Sequence, residues 1–441
     1  MSKIQVKKMN SEIEQDSDSD IDYDDLTQSS VDVGYIDTSM EELSEKELQL
    51  YRIQMKSPFF PNKVGGKPAW LDYSSAPHAL GAGVMNDSNN NKSEELQCLS
   101  CKSQLVFLLQ IYAPIGGQND QFSNEAECLE DAFHRVLYVF LCSNQGCKAR
   151  TFKAYRSQLN RENDFFSHDP PPEDYDEDDF EQELADSKDH LKKFYLNLYK
   201  KNMLNQCAVC GLACTKKCSR CNFVFFCSQA HQLIDWTKLN HKTLCTKYSN
   251  PDLDQMILEW VQDENSQLKY FEEKNSPLFP EREILIEPEE LDVAKLKREK
   301  DKFKYDEKKI VEELGQNEGN DQDFDAVKEN DYDKDFEKFK KISAQDPAQI
   351  IRYERGGKPL WTSKYQKLKE SDIPKCEHCG SRRIFEFQVT PQLLCYLNLD
   401  ESRQMDTVDW AGLYVYTCVK SCQAAKNSYA SEFIYKQDFV S

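Results

Sequence analysis

Apolar positions in this chain gather into a few short runs whose length and composition are typical of β-strands. Leu105 to Tyr112 and Ile384 to Val389 form one pair of such runs, and apolar residues alternate along the second. A later apolar run follows each of them, from Arg135 to Leu141 and from Leu413 to Thr417. The pattern predicts a β-hairpin or small sheet in each of two separate parts of the chain.

These two parts also share a fixed order of motifs. Gly-Gly-Lys-Pro-Ala-Trp begins at Gly65, Gly-Gly-Lys-Pro-Leu-Trp begins at Gly356, and each motif is followed by a Cys-x-x-Cys pair. The agreement extends past that pair, because Cys98, Cys101, Phe107 and Gln110 have the same separations as Cys376, Cys379, Phe385 and Gln388. A match of this length indicates an internal repeat, so we expect two related halves that pack against each other.

Charged segments separate the apolar ones. Residues 11–25 contain eight carboxylates and no basic side chain, and Asp169 to Glu183 contains nine carboxylates beside three consecutive prolines. Such stretches lack the apolar residues that a core requires. The sequence therefore predicts an acidic disordered tail at 1–28, an N-terminal repeat at 29–160, an acidic linker and helix at 161–200, a cysteine-rich segment at 201–248, a charged, partly helical insertion at 249–348, and a C-terminal repeat at 349–441.

Net charge and composition exclude several classes of function. The formal charge is −21 over 441 residues, which argues against strong nucleic-acid binding, because phosphate backbones are held by clustered Lys and Arg. A basic protein partner is a better match for such a chain. No apolar run approaches the ~20 residues of a membrane span, and the first residues do not resemble a secretion signal. We therefore expect a cytoplasmic protein, and its division between cytoplasm and nucleus stays open.

The 17 cysteines, in a reducing compartment, point to metal binding rather than to disulfides. The densest region has four regularly spaced pairs of donors, namely Cys207/Cys210, Cys218/Cys221, Cys227/His231 and His241/Cys245. The last two pairs suit helices, since residues four apart share a helical face. Eight such donors are enough for two tetrahedral zinc ions, and a segment this short depends on the ions for its folding free energy.

The two repeats contain further cysteine pairs at the ends of the predicted strands. They make two more candidate zinc sites, Cys98, Cys101, Cys142 and Cys147 in the first repeat and Cys376, Cys379, Cys418 and Cys422 in the second. The alternative is that these residues are small buried hydrophobic side chains, which is common for cysteine. Cys214 lies off the zinc spacing, and we expect Cys128 and Cys395 to be buried core thiols.

The segment 201–248 resembles a MYND zinc finger in its ligand spacing and in the neighbouring residues Ser228, Asp235-Trp236 and Lys242. In that family the ligand pairs alternate between two ions, so the first and third pairs share one ion and the second and fourth share the other. The sets implied by the resemblance are Cys207, Cys210, Cys227 and His231 for one zinc, and Cys218, Cys221, His241 and Cys245 for the other. His231 stands where a cysteine is commoner in the family, and imidazole is an equally competent zinc donor.

Together with the finger, three stretches resemble the programmed cell death protein 2 family, namely Gly34-Tyr35, Phe60 to Trp70 and Phe385 to Leu394. The resemblance implies an α+β fold with a β-rich body made of two related halves, an inserted cross-braced two-zinc MYND finger, and long charged disordered or helical linkers. It also implies a non-enzymatic chaperone that captures a newly made ribosomal protein of the S5 type and supports 40S ribosome biogenesis. The negative charge of the chain agrees with such a basic partner.

Two other functions are compatible with a MYND finger. A SET-domain methyltransferase is one, but no stretch resembles its cofactor-binding signature, and P-loop, Gly-x-Ser-x-Gly and His-Glu-x-x-His motifs are absent from the sequence. The histidines outside the finger have no nucleophile or carboxylate partner at motif spacing, so we assign no catalytic residue. The second is a nuclear adaptor that recruits transcriptional co-regulators by docking their Pro-rich peptides on the finger, and this alternative stays open.

Overall fold

The computed structural model describes residues 30–79, 96–116, 122–126, 129–166, 179–247, 276–295, 333–399, 408–423 and 429–439. The acidic tail expected at 1–28 lies outside them, as do residues 167–178 of the acidic linker and most of the insertion. The described strands are β1 (Asp32–Ile36), β2 (Lys63–Val64), β3 (Val106–Tyr112), β4 (His134–Leu141), β5 (Phe152–Leu159), β6 (Lys216–Lys217), β7 (Phe225–Phe226), β8 (Arg282–Pro288), β9 (Ile351–Tyr353), β10 (Arg383–Val389), β11 (Gly412–Cys418) and β12 (Tyr429–Gln437).

Helices are fewer and lie outside the main sheet. They are α1 (Glu45–Gln54), α2 (Phe180–Lys200), α3 (Gln229–Lys238), α4 (His241–Leu244) and α5 (Lys334–Ser343). Short 3-10 helices occur at Ser39–Glu41, Ser57–Phe59, Ser123–Glu125, Glu130–Ala132, Glu370–Asp372 and Pro391–Tyr396. Among the described residues, no helix has both the length and the apolar content to cross a membrane.

Ten of the described strands form one closed antiparallel barrel, in the order β1-β8-β2-β3-β4-β5-β12-β11-β10-β9. The expected β-rich body is therefore confirmed, although the predicted hairpins are not separate sheets. Strands β3, β4 and β5 form a first meander, strands β10, β11 and β12 form a second, and β5 pairs with β12 to join them. Closure leaves none of these strands with a free edge.

The two meanders have the same register. Each contains a glutamine–tyrosine pair next to a β-bulge in its first strand. The pairs are Gln110 with Tyr138 and Gln388 with Tyr414, and the bulges lie between Phe107 and Leu109 and between Phe385 and Phe387. A bulge changes the direction of the following side chains, so equivalent residues face the same side in both meanders.

Each half has a buried glutamine at the same distance after its Cys-x-x-Cys pair, and this glutamine binds the Gly-Gly-Lys-Pro motif of that half. The Oε1 of Gln110 accepts a hydrogen bond from the N–H of Ala69 (2.8 Å), and the Oε1 of Gln388 accepts one from the N–H of Leu360 (2.7 Å). Both glutamine side chains are at most 1% exposed. Each glutamine thus satisfies backbone groups that would otherwise be buried without a partner.

Apolar side chains from both meanders fill the inside of the barrel. Leu109, Ile111, Leu137 and Val139 from the first pack in one cluster with Phe387, Val389, Leu413 and Val415 from the second. The remaining barrel strands add Ile36, Val64, Ile284 and Ile351 to the same cluster. A single core that draws on distant parts of the sequence makes the barrel one body.

Two buried ionic clusters connect the meanders across this core. Arg135 in β4 donates to both carboxylate oxygens of Glu386 in β10, at 2.5 and 2.8 Å. The carboxylate of Glu432 in β12 accepts from Arg156 in β5 (2.7 Å) and from Arg383 in β10 (3.0 Å). Burial acts to raise the pKa of Glu386, but Arg135 outweighs it and holds that pKa at about 2. Charges can stay buried here because each is paired.

The outward face of the first meander is covered by α1, α2 and the cysteine-rich segment. Trp70 lies at the centre of this layer, with its ring 5.1 Å from Tyr138 and 6.0 Å from Phe140. Helix α2 fills the same layer through Leu184, Leu191, Phe194 and Leu198, at the spacing of a helix with one buried face. The layer therefore holds the cysteine-rich segment against the barrel.

Each Gly-Gly-Lys-Pro motif lies where a distant segment approaches the backbone closely. Gly65 has φ = +65°, and a Cβ at that position would be 2.0 Å from the carbonyl oxygen of Pro280. Gly356 has φ = +81°, and a Cβ there would be 1.9 Å from the ring of Phe122. Only glycine provides both the dihedral angle and the space, so the motif is a docking point for other parts of the chain.

Part of the predicted insertion at 249–348 belongs to the barrel instead. Strand β8 pairs with both β1 and β2, and only Ile284 of its residues is fully buried. The charged residues on either side of β8 are paired, since Glu281 meets Lys63 and Glu289 meets Arg352, all of them at most 7% exposed. The strand has only a short apolar run, Ile284 to Ile286, and the buried carboxylates that flank it are neutralised by residues far along the chain.

Candidate metal centres

Four clusters of thiol and imidazole groups occur in the described part of the chain, and they contain every cysteine and histidine that the sequence nominates as a ligand. In each cluster the four ligand atoms lie within 4.8 Å of one another. The clusters are site 1 (Cys207, Cys210, Cys227, His231), site 2 (Cys218, Cys221, His241, Cys245), site 3 (Cys98, Cys101, Cys142, Cys147) and site 4 (Cys376, Cys379, Cys418, Cys422).

Site 1 combines a tight turn with the beginning of a helix. Ser228 caps α3 by accepting a hydrogen bond from the N–H of His231 (3.2 Å), which places Cys227 and His231 together at the helix start. The Sγ of Cys207 lies 3.5 Å from the Nδ1 of His231, and the Sγ of Cys210 lies 3.8 Å from that of Cys227. The first ligand pair therefore meets the third.

Site 2 depends on the single turn of α4. The N–H of Cys245 donates to the carbonyl of His241 (2.7 Å), so these two side chains point to the same side. The Sγ of Cys218 lies 3.8 Å from that of Cys245, and the Sγ of Cys221 lies 3.7 Å from the Nε2 of His241. The second ligand pair meets the fourth, which is the interleaved arrangement that the resemblance implies.

The spacing of these donors fits tetrahedral zinc. Zinc bonds of about 2.3 Å to sulfur and about 2.0 Å to nitrogen give edges of roughly 3.8 Å between two sulfurs and roughly 3.5 Å between sulfur and nitrogen. In sites 1 and 2 the sulfur–sulfur distances given above are 3.8 Å, and the sulfur–nitrogen distances run from 3.1 to 3.7 Å. A disulfide would require about 2.05 Å. The donors therefore fit a metal ion, which supplies folding free energy when bound.

Asp235 positions one of the ligands. Its Oδ2 lies 2.5 Å from the Nδ1 of His241, and both side chains are buried. Burial raises the pKa of Asp235, although the hydrogen bond with His241 acts against it. The contact leaves Nε2 as the nitrogen that faces the thiols, which is a common way to orient a ligand histidine. In the sequence Asp235 is visible only as part of the MYND resemblance, and this role was missed.

Site 3 lies at the ends of β3 and β4 in the first meander. The turn with Cys98 and Cys101 precedes β3, and Cys142 directly follows β4. The Sγ of Cys98 lies 3.7 Å from that of Cys147, and the Sγ of Cys101 lies 3.5 Å from that of Cys142. The strand ends therefore bring the four thiols together, as the sequence predicts.

Site 4 has the same construction in the second meander. The turn with Cys376 and Cys379 precedes β10, and Cys418 is the last residue of β11. The Sγ of Cys376 lies 3.6 Å from that of Cys422, and the Sγ of Cys379 lies 3.5 Å from that of Cys418. The contacts match those of site 3, with the first cysteine next to the fourth and the second next to the third.

Three cysteines lie outside the four sites. Cys214 is buried, and a hydrogen bond to Cys207 together with burial raises its pKa. Cys395 is exposed, so the expectation of a buried core thiol there is wrong. It lies in the 3-10 helix Pro391–Tyr396, which turns Leu393 toward the core instead. Cys128 lies outside the described residues.

The cysteine-rich segment docks through its backbone on the chain from Trp70 to Ala79, which precedes the first meander. The Nε1 of Trp70 donates to the carbonyl of Gly211 (2.7 Å). The N–H of Ala79 donates to the carbonyl of Ala213 (3.0 Å), and the N–H of Ala213 donates to that of Pro77 (3.2 Å). The tryptophan of the first Gly-Gly-Lys-Pro motif thus anchors the segment beside site 1.

Fold and sites define a MYND-finger protein whose finger is mounted on a closed β-barrel. The family model "MYND finger" matches residues 207–245, and a finger of this family binds zinc. The models "Programmed cell death protein 2, N-terminal domain" and "Programmed cell death protein 2, C-terminal putative domain" match residues 31–173 and 333–440. The chain belongs to the programmed cell death protein 2 family.

Its similarity to curated relatives extends over most of its length. It is 37% identical over 387 residues to "Programmed cell death protein 2" of Bos taurus, covering 88% of this chain and 93% of the relative. It is 36% identical over 385 residues to the protein of the same name from Mus musculus, covering 87% and 93%. A shorter match, 34% identical over 117 residues, is to "Probable 20S rRNA accumulation protein 4" of Schizosaccharomyces pombe and covers 23% of this chain and 28% of the relative. No solved structure matches the chain.

Proposed function

We propose that this protein is a non-enzymatic chaperone that captures a newly made, basic protein of the small ribosomal subunit, of the S5 type, and keeps it soluble in the cytoplasm. The observation that carries the proposal is the match to a Schizosaccharomyces pombe relative whose name refers to accumulation of 20S rRNA. Small ribosomal subunits are built on such RNA. A shortage of one of their proteins would therefore cause this RNA to accumulate. The proposed role is therefore support of 40S ribosome biogenesis.

Charge supports a basic client. The chain has a formal charge of −21, and ribosomal proteins need a partner that substitutes for RNA phosphates before assembly. Glu287 in β8 is exposed, and so are Glu290 and Asp292 just after the strand. Leu285 on the same strand is also exposed, at 42%. Acidic groups around an apolar side chain suit a client segment in which basic and apolar residues alternate.

The metal centres support a structural rather than a catalytic role. We propose that sites 1 and 2 each hold one zinc ion. Three thiols and one imidazole fill the four positions of each tetrahedron, which leaves no position for a substrate or a water molecule. The ions then stabilise a segment whose own apolar core is small. A binding function follows more readily from such sites than a chemical one.

We also propose that the two meanders descend from one repeated unit. Their identical registers, their bulges at the same place and their equivalent buried glutamines support this origin. The outward aromatic residues correspond as well, with Trp70 and Tyr138 in the first half and Trp361 and Tyr414 in the second. The relation explains why both halves have the same spacing from the Cys-x-x-Cys pair to the buried glutamine.

A groove beside the finger favours the adaptor function as a second candidate. It lies between the chain from Met55 to Tyr73, the end of α2 and the cysteine-rich segment. Tyr73, Tyr195, Phe223 and Phe225 are among its lining residues. Aromatic grooves are suited to Pro-rich peptides, so a co-regulator peptide is the competing occupant.

Affinity capture at low and at high salt separates the two functions. The chaperone function predicts one dominant ribosomal protein whose recovery falls as salt rises, because the contact is between opposite charges. Recovery of chromatin regulators in its place would support the adaptor function. Cells that lack the protein provide the decisive control, because normal small-subunit production with a soluble client there would contradict the chaperone proposal.

A purified system tests the electrostatic contribution. Neutralising Glu287, Glu290 and Asp292 to Gln or Asn should slow association with the client and reduce its salt dependence, while the fold stays intact. The matched control neutralises the same number of exposed carboxylates elsewhere in the chain, Glu162 after β5 and Glu181 and Asp189 on α2. An equal effect of the two variants would show that total charge matters and that the surface next to β8 is not the contact.

A further inference from the structure

We propose that site 4 binds a structural zinc ion and that this ion holds the loop between Cys418 and Cys422 as a clasp, which locks the first meander to the second. The inference does not depend on the chaperone function. It follows from the backbone of the Cys-x-x-Cys turns, from the surroundings of the four thiols, and from the contacts that this loop makes.

All four Cys-x-x-Cys turns of the molecule have the same backbone. In each, the N–H four residues after the first cysteine donates to the carbonyl of that cysteine, at 2.8 to 3.1 Å, and the donating residue has a positive φ. These residues are Lys102 in site 3, Gly211 in site 1, Asn222 in site 2 and Gly380 in site 4. The turn geometry of the finger's metal ligands thus recurs in the barrel, even where a lysine must adopt a left-handed conformation.

The surroundings of site 4 exclude the alternative of apolar packing. Its four cysteines form a cluster of their own, separate from the barrel core and from the outer aromatic layer. Their sulfurs lie 3.5, 3.6 and 3.8 Å apart, close to the roughly 3.8 Å edge of a zinc–thiolate tetrahedron. Cysteines that served as small hydrophobic side chains would pack among leucines and valines rather than only with one another.

The loop from Cys418 to Cys422 accepts several hydrogen bonds that the first meander donates to the second. The Nη2 of Arg156 donates to the carbonyl of Cys422, and the Nε2 of Gln158 donates to the carbonyl of Ser421, both at 2.9 Å. The Nε of Arg135 donates to the Oγ of Ser421 at 3.2 Å. Strands β4 and β5 thus send three buried donors into one five-residue loop.

Site 3 gives a natural comparison, because carbonyls of its equivalent loop accept hydrogen bonds from the same half of the chain. Asn144, Gln145 and Gly146 are exposed there. The guanidinium of Arg150, in the same half, donates to the carbonyls of Cys142 (3.0 Å) and Asn144 (2.7 Å). Two sites with the same donors therefore differ in what their loops hold together.

The consequence is an unequal response to loss of metal. Without an ion at site 4, the carbonyls of Ser421 and Cys422 are no longer held in place, and the buried groups of Arg135, Arg156 and Gln158 lose acceptors. The adjoining β5–β12 ladder, which pairs Tyr155 with Ser431, is then expected to open more often. Loss of the ion at site 3 is expected to act locally, on the turn at Cys98 and the exposed loop.

The experiment compares Cys379→Ser with Cys101→Ser in the full chain. Each of these cysteines is the second of its Cys-x-x-Cys pair, and the two are similarly exposed. We expect metal analysis to give four zinc ions for the wild type and three for each variant. Hydrogen exchange should show protection of the β5–β12 amides falling by roughly tenfold or more in Cys379→Ser and not in Cys101→Ser. Two ions in the wild type, or equal exchange in both variants, would overturn the proposal.

Two measurements keep the test decisive if Cys379→Ser does not fold. Cadmium-113 NMR of the substituted wild-type chain should show two resonances of four-thiolate sites and two of sites with three thiolates and an imidazole. Ser421→Ala retains every ligand, so it should keep four zinc ions and yet lose part of the β5–β12 protection. A spectrum without four-thiolate resonances refutes the metal site, and unchanged protection in Ser421→Ala refutes the clasp.

Discussion

Replacing Glu386 with glutamine removes one charge from the centre of the barrel while keeping the shape of the side chain. Glu386 receives hydrogen bonds from Arg135 at 2.5 and 2.8 Å and from the hydroxyl of Tyr353 at 3.0 Å. Arg135 and Glu386 are both 0% exposed. The variant therefore leaves a buried guanidinium without its counter-ion, and that ion pair joins the two meanders.

Two independent arguments give the expected loss of unfolding free energy in Glu386→Gln. Removing one partner of a buried ion pair typically costs about 3–5 kcal/mol. Burial acts to raise the pKa of Glu386 and Arg135 outweighs it, which gives a pKa of about 2 instead of 4.5 and corresponds to about 3 kcal/mol. Both routes predict a loss that is a large fraction of the stability of an ordinary domain.

Urea unfolding followed by tryptophan fluorescence measures this loss, with free zinc held constant because metal binding also stabilises the folded state. A carboxylate whose folded-state pKa lies below its unfolded value stabilises the protein above the unfolded pKa, and this contribution disappears as the pH falls toward the folded pKa. The unfolded value here is 4.5. The difference between wild type and variant should therefore be constant from about pH 6 to about pH 8.

Glu181→Gln is the matched control, because Glu181 pairs with Lys46 at the surface, where the side chains are 71% and 63% exposed. Solvent screens such a pair, so we expect no measurable change in the unfolding midpoint. A loss below about 1 kcal/mol for Glu386→Gln, comparable to an exposed pair, would refute the claim that this ion pair connects the meanders.

Three further predictions concern the finger, an aromatic layer and a glycine. Asp235→Asn should weaken one zinc site of the finger by about 10- to 100-fold, measured by competition with a chelator, whereas the exposed Asp189→Asn should not. Burial lowers the pKa of His134 to about 4 from 6.5, so this group destabilises the fold as the pH falls below 6.5. When the pH falls from 7.5 to 5.5, the wild type should therefore lose about 1 kcal/mol more unfolding free energy than His134→Phe, as measured by thermal unfolding. Equal pH profiles of the two proteins would contradict this. Gly65→Ala should destabilise the barrel far more than Gly146→Ala, because both have a positive φ but only Gly65 has a carbonyl oxygen 2.0 Å from the new Cβ. The control should cost only about 1–2 kcal/mol in urea unfolding.

Much of the candidate site can be read from the chain because metal ligation imposes short-range spacing. A Cys-x-x-Cys turn, or two donors four apart on a helix, has the right geometry almost independently of the rest of the molecule. The ligand residues of sites 1 to 4 were therefore visible in the sequence, and so were the strands that lead to Cys142 and Cys418. The interleaving of the finger pairs came from family resemblance, because spacing alone allows other pairings.

The barrel was decided only by tertiary structure. Strand β8 has only a short apolar run, Ile284 to Ile286, and the carboxylates that flank the strand, Glu281 and Glu289, are neutralised by Lys63 and Arg352, far away in sequence. The hydrogen bond that His241 donates to Asp235 and the one that Arg135 donates to Ser421 are likewise contacts of the folded chain. Local sequence patterns reflect constraints between residues a few positions apart, such as the alternation of a strand or the ligand spacing of a turn. Which charges are paired, which edges close and which loops meet depend on contacts between segments hundreds of residues apart, and no local periodicity encodes them.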